Sequence, residues 1–318
     1  MKHRWSLVAA GALTGIGLAA VLVGQSGIAA AVPRDAVTPQ AIAGGTFEAS
    51  GVASVPGTPG VLFVDDGRNR EIFWMELTAQ GRQQSAAVQV PLAADVTDLE
   101  GITSDGDRFY VVGSQSKPSG FEGDGLVRFR FDARTRRTTD VERIQGLKAW
   151  LAANVPELKG TARVVGDEAL NIEGLAWDPR GARLLLGLRA PVVDGKALVI
   201  AVKMQDSAGP FSIGNLRIDA PTIRLPLDGA GVRSLEYDAG ARAFRVITGA
   251  GLNDENRDFK IVEWSGEAAP ASLPVVASFS RSLKPEGITL ATIAGRPISV
   301  VVFDTGRFAL LEPPAANR

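Results

Sequence analysis

Three carboxylates, one guanidinium and one hydroxyl recur at a single position of a repeated phrase. The copies are D-L-E-G-I-T (Asp98–Thr103), N-I-E-G-L-A (Asn171–Ala176), V-R-S-L-E-Y (Val232–Tyr237) and K-P-E-G-I-T (Lys284–Thr289), with a weaker A-S-G-V-A at Ala49–Ala53. The copies at Asn171 and Val232 align through the turns that follow them, W-D-P-R-G-A-R and Y-D-A-G-A-R. That register sets Glu173 opposite Arg233 rather than Glu236 and keeps Leu175 facing Leu235; a one-residue slip would turn every side chain to the wrong face. The equivalent residues are therefore Ser50, Glu100, Glu173, Arg233 and Glu286.

Ionised carboxylates brought together repel and call for a cation. Arg233 supplies one charge, and Ca²⁺, which accepts oxygen ligands in irregular geometry, could supply the rest. The ligand set would be Glu100, Glu173 and Glu286, with Asp98 and Asn171, two residues before their glutamates, adding oxygens. A Ca²⁺ ion polarising a substrate oxygen, a glutamate acting as base towards water, and Arg233 or Arg189 holding negative charge would hydrolyse a phosphate ester, an ester or a lactone. The same residues read equally as a structural ion-pair ring in a non-catalytic protein that binds a small molecule or a protein partner.

The elements that must position these groups are short strands. After each phrase come a turn rich in Gly, Pro and Asp and a second run of strand formers, as in R-L-L-L-G-L (Arg183–Leu188) and F-R-V-I (Phe244–Ile247). A more variable pair of strands then follows in most units. Repeats at long period settle architecture before local detail does, and four strands per unit repeated radially make a β-propeller blade. The chain reads as an all-β propeller with five visible blades, a sixth degenerate one staying open. The last blade lacks a fourth strand, which Thr46–Ala49 could supply. The spacing of Leu147, Trp150, Leu151 and Val155 predicts a short helix within Gly146–Leu158, expected over a channel mouth. The second strands end near that mouth, which would gather Arg189, Asp304 and Arg307. Of these, Arg189 reads as a binding residue from its Leu and Pro neighbours, and Asp304 reads first as a turn residue.

Several function classes are excluded. The one histidine is His3 and there is no cysteine, so a domain lacking its leader has no imidazole or thiolate chemistry. No phosphate-cradling Gly-rich motif is present, and a formal net charge of −1 does not point to nucleic acid. Lys2, His3 and Arg4, then an apolar stretch from Ser6 to Val32 with small residues at Ala29–Ala31, read as a signal peptide over 1–31. A linker over 32–45 and the propeller over 46–318 follow. The protein is expected in the periplasm or secreted, as a monomer, an uncleaved N-terminal anchor being the alternative. Arg128–Phe131 alternates Arg and Phe and reads as a solvated basic face. Trp74, Trp177 and Trp264 read as packing between blades rather than sugar platforms, and the acidic loops F-E-G-D-G and N-D-E-N-R-D as loops.

With N-I-E-G-L-A-W, L-L-L-G-L-R-A-P, V-R-S-L-E-Y and K-P-E-G-I-T, the chain resembles a bacterial family of exported propellers of unknown function over roughly residues 45–312. It is similar to phytase-like or esterase-like propellers. The Glu-Gly pair is more distantly similar to gluconolactonase and strictosidine synthase propellers, whose likeness implies a glutamate near a channel ion. Arg233 and the missing histidines depart from that pattern.

Overall fold

A computed structural model describes residues 37–117, 119–121, 123–163, 170–219, 221–250 and 257–312. The expected leader, Glu122 and most of the N-D-E-N-R-D loop lie outside them. Five antiparallel sheets form five blades. Their first strands are Ala49–Ser54, Leu99–Ser104, Asn171–Asp178, Gly231–Asp238 and Pro285–Ile293, and each contacts the next around a closed ring. Alternation of apolar and polar residues is weak in the inner strands because both faces are covered by neighbouring blades; Ala49–Ser54 is buried but for its last residue, and the second strands Gly60–Asp65 and Phe109–Gly113 are buried throughout.

The fourth strand of blade five comes from the other end of the described chain. Gln40 and Ala41 pair with Phe308 and Arg307, and Ile42 N–H donates to the Gly306 carbonyl. The ring is thus closed by residues a few positions before the expected Thr46–Ala49. In blade three, Leu216–Ile218 and Ile223–Leu225 share the outer place, both paired with Ala197–Met204.

The helix forms at Leu147–Asn154, and Pro156–Leu158 adds one 3₁₀ turn. It does not cover the channel. Leu147, Leu151, Val155 and Leu158 enter the apolar core shared by blades two and three, because the stripe that made it amphipathic needs an apolar partner. The basic strand also departs from expectation. Arg128 is buried, its Nε donating to Glu142 Oε2 at 2.6 Å and its guanidinium lying 4.4 Å from the Phe211 ring centre. An opposed carboxylate and an aromatic face replace the water it was expected to meet. Trp74 and Trp264 are core residues, whereas Trp177 is half-buried and stacks on Tyr110. No helix among the described residues is long and apolar enough to cross a membrane.

Candidate functional site

Each first strand is irregular at the same place. Pairing with the second strand shifts between Leu99 and Gly101, Ile172 and Gly174, Val232 and Ser234, and Pro285 and Gly287. The residue left over is Glu100, Glu173, Arg233 or Glu286. In blade one the shift falls between Ala49 and Val52 and takes in Ser50. A bulge residue is free of the ladder and its side chain is re-aimed. Here all five are aimed into one central cavity of about 540 Å³, as the sequence register required; Glu236 is not among its lining residues.

The glycine after the glutamate has its own reason. A Cβ on Gly51 would lie 2.7 Å from the Glu100 carbonyl oxygen, on Gly101 2.6 Å from Leu175 Cβ, on Gly174 2.8 Å from Val232 Cγ1, and on Gly287 2.3 Å from the Ser50 carbonyl oxygen. Each contact is with the next blade round the ring. Blade four has Ser234 instead, and its hydroxyl accepts the Ile288 N–H at 3.2 Å. The Glu-Gly pair is thus one residue for the axis and one for the neighbour.

Arg233 organises the acids. Its Nε donates to Glu286 Oε2 at 2.7 Å, and a terminal nitrogen forks onto Glu286 Oε1. The other terminal nitrogen donates to Glu173 Oε1 at 3.2 Å. Arg189 donates to the same oxygen at 2.9 Å. Glu173 Oε2 lies 2.9 Å from Arg233 Nε, but that N–H is aimed at Glu286, so this buried oxygen has no hydrogen bond. Burial pushes Glu173 up to about 7 against the pull of Arg233 and Arg189. Arg233, although buried, is held more firmly protonated by Glu173 and Glu286.

Glu100 differs. It lines the cavity yet takes no hydrogen bond or ion pair from any described residue. Burial first, then the charges of Glu173, Asp98 and Glu286, hold its carboxyl well above the usual range. Nearby Asp66 also lines the cavity and is pushed up to about 7, by burial and then by a hydrogen bond and charge shared with Glu48. Opposite, Arg189, Arg257, Arg281 and Lys284 reach the same space. The cavity therefore has an acidic side from blades one and two and a basic side from blades three to five.

The remaining expected residues divide. Asp304 lines the rim and accepts from Lys284 Nζ at 2.6 Å. Asp98 does not line the cavity; it turns to the hydroxyls of Ser114 and Ser116. Asn171 is buried behind Glu173, its Oδ1 without a partner. Arg307 is exposed on the third strand of blade five, paired with Phe303 and Ala41, away from the cavity. Arg257, Arg281 and Phe259 were not anticipated. Only their nearness to strand ends at the same rim could have pointed to them.

A Ca²⁺ ion bridging all three glutamates does not fit this arrangement. The Arg233 guanidinium fills the space between Glu173 and Glu286, Arg189 brings a second positive charge to Glu173, and Asp98 faces elsewhere. No group of three acidic, His or Cys side chains among the described residues is arranged to hold a metal.

No curated protein matches the chain. The fold is similar to the PQQ domain of pyranose dehydrogenase from Coprinopsis cinerea, 11% identical with a TM-score of 0.50, covering 89% of this chain and 98% of that one. A provisionally assigned gluconolactonase is 12% identical with a TM-score of 0.46, over 88% and 93% of the two chains. Soluble aldose sugar dehydrogenase from Escherichia coli is 12% identical with a TM-score of 0.44, over 87% and 99%. At such identity the first of these likenesses carries the propeller fold, and none carries the chemistry; a phytase-like protein is not among these three. Residues 147–307, half of the chain, match the family described as protein of unknown function (DUF3616), and the chain belongs to it.

Proposed function

We propose that the central cavity binds a small, oxygen-rich molecule and hydrolyses an ester or lactone bond in it, with Glu100 as the proton-transferring group and Arg189 as the cation facing the developing oxyanion. The observation that carries this reading is the state of Glu100: a cavity-lining carboxyl without a partner, its proton affinity raised by burial and by neighbouring acids. A group of raised pKa works near neutral pH, where an ordinary glutamate is too weak a base. In its ionised form Glu100 takes a proton from water as the water oxygen bonds to the carbonyl carbon. The bond to the leaving oxygen then breaks, and Glu100 returns the proton to it, giving acid and alcohol. Arg189, a quarter exposed to the cavity although paired with Glu173, has N–H groups left for the oxyanion.

A second reading is a binding propeller without turnover. It is favoured by the Glu173–Arg233–Glu286 network, which leaves few unpaired groups for chemistry. The deciding experiment is hydrolysis of a panel of aliphatic lactones and nitrophenyl esters by the protein and its Glu100→Gln variant. On the enzymatic reading the variant loses about 100-fold or more in kcat with little change in KM. If no member of the panel is turned over while lactones or sugar acids bind saturably in the cavity, the binding reading takes its place.

A further inference from the structure

We propose a second ligand site, independent of the central cavity, that takes a planar aromatic carboxylate between blades two and three. A cavity of about 430 Å³ lies there, within the range of small-molecule pockets. It sits at the hairpin turns Asp105–Arg108 and Pro179–Ala182, the opposite ends of the same hairpins that carry Glu100 and Glu173. The two sites therefore open at different rims.

Its wall is aromatic. Tyr110 and Trp177 are parallel within 2° at 6.0 Å, and Phe211 meets Tyr110 at 61° and 6.3 Å. Arg128 lies over Phe211 and fixes that ring, while Met204 adds a polarisable surface. Trp177 is half-buried although it packs on the core of blades two and three. Flat rings in this setting favour a flat apolar ligand over a branched or polyhydroxylated one.

The charges at this cavity are unevenly paired. Arg128 is neutralised by Glu142, Arg183 by Asp178 and Asp219, and Asp107 by Arg130. Asp105 is occupied by the Tyr110 hydroxyl at 2.8 Å and by the backbone N–H groups of Asp107 and Arg108. Two cations are left: Arg108 and Lys203, neither with an ion pair to a described residue, and Arg108 Nε is buried without a hydrogen-bond partner. An aromatic wall beside two cations without ion-pair partners, one with a buried N–H left to donate, matches a ring bearing a carboxylate, which Arg binds through a planar fork.

Calorimetric titration of 2-naphthoate into the protein tests this. One saturable site is expected. Arg108→Gln with Lys203→Gln weakens it about tenfold or more by removing the charge-assisted bonds. Ser207→Trp fills the exposed lip without touching the core and abolishes binding, while Glu100→Gln leaves it unchanged. Thermal melts confirm that each variant is folded. Absence of saturable binding overturns the proposal. So does binding that survives Ser207→Trp, or that falls in Glu100→Gln, since either places the ligand elsewhere. Octanoate binding as tightly as 2-naphthoate would overturn the aromatic class.

Discussion

Arg233 does at the axis what a bound cation was expected to do. It is nearly enclosed, at 11% side-chain exposure, between Glu173 at 3% and Glu286 at 9%. Such groups gain little over an apolar core when all are present, but removing one partner strands the others. Arg233→Met is therefore expected to destabilise the protein by about 3–5 kcal/mol in urea titrations at pH 7. A loss under about 1 kcal/mol would mean that water or a metal already shares the charge. Glu236 allows a test of sign. Burial raises its pKa from 4.5 to about 7, although Leu290 N–H and the Thr289 hydroxyl partly oppose the shift. A raised carboxyl stabilises the fold below its unfolded value, and that contribution is lost as pH rises through the folded value. Stability should thus fall between about pH 4.5 and pH 7, and Glu236→Gln, which keeps the acceptor oxygen, should flatten part of that slope. An unchanged slope in the variant would assign the dependence to Glu100, Glu173 or Asp66.

The first strands act as units through contacts one and three residues after the bulge. The small residue after the bulge admits the neighbouring blade. The residue at the third place clasps it: Thr103 accepts Trp177 N–H, Thr289 accepts Ser54 N–H, and Glu236 accepts Leu290 N–H. Glu236 is thus a clasp in the place of a threonine, which is why it resembled a site residue in sequence and is none in space. Gly287→Ala would set a Cβ 2.3 Å from the Ser50 carbonyl oxygen, a backbone atom that cannot swing away. Its denaturation midpoint should drop by the equivalent of about 1–3 kcal/mol. Since the clash moves Ser50, ligand binding in the central cavity should weaken as well. A variant with wild-type stability would show that the blades can part at this seam.

The molecule as a whole is a ring whose last blade is completed by its first described strand. Ile42, 4% exposed, packs in the core that blades one and five share, with Phe308 and Ala291. Ile42→Ala should cost about 2–5 kcal/mol, more than the two-residue strand beside it suggests, because opening this joint exposes both blades. A melt in which the variant unfolds within a degree of the wild type would mean that the ring holds without this joint. The ring also bears on metal dependence. With Glu173 and Glu286 paired to Arg189 and Arg233, chelator or added Ca²⁺ should shift the melting temperature by less than about 1 °C. A rise of several degrees that Glu173→Gln removes would restore an ion to the axis, since a ligand specific to the folded state stabilises it.

The propeller, its five units and the five residues turned to the axis were legible in sequence. A repeated phrase at a fixed place in a strand returns to the same point of a ring, and turn residues fix its register. What that register could not convey was charge pairing. Whether Arg233 neutralises two glutamates or leaves them to a metal depends on where its guanidinium lies between blades 53 and 60 residues away in sequence. Asp98 and Arg307 show the same limit: both sit near repeat positions, but one turns to Ser114 and Ser116 and the other pairs at the closing strand. The helix at Leu147 announced an apolar stripe without saying which core would cover it. Sequence determined what recurs along the chain, because periodicity is local; tertiary structure decided which groups meet, because those contacts join blades that no local pattern connects.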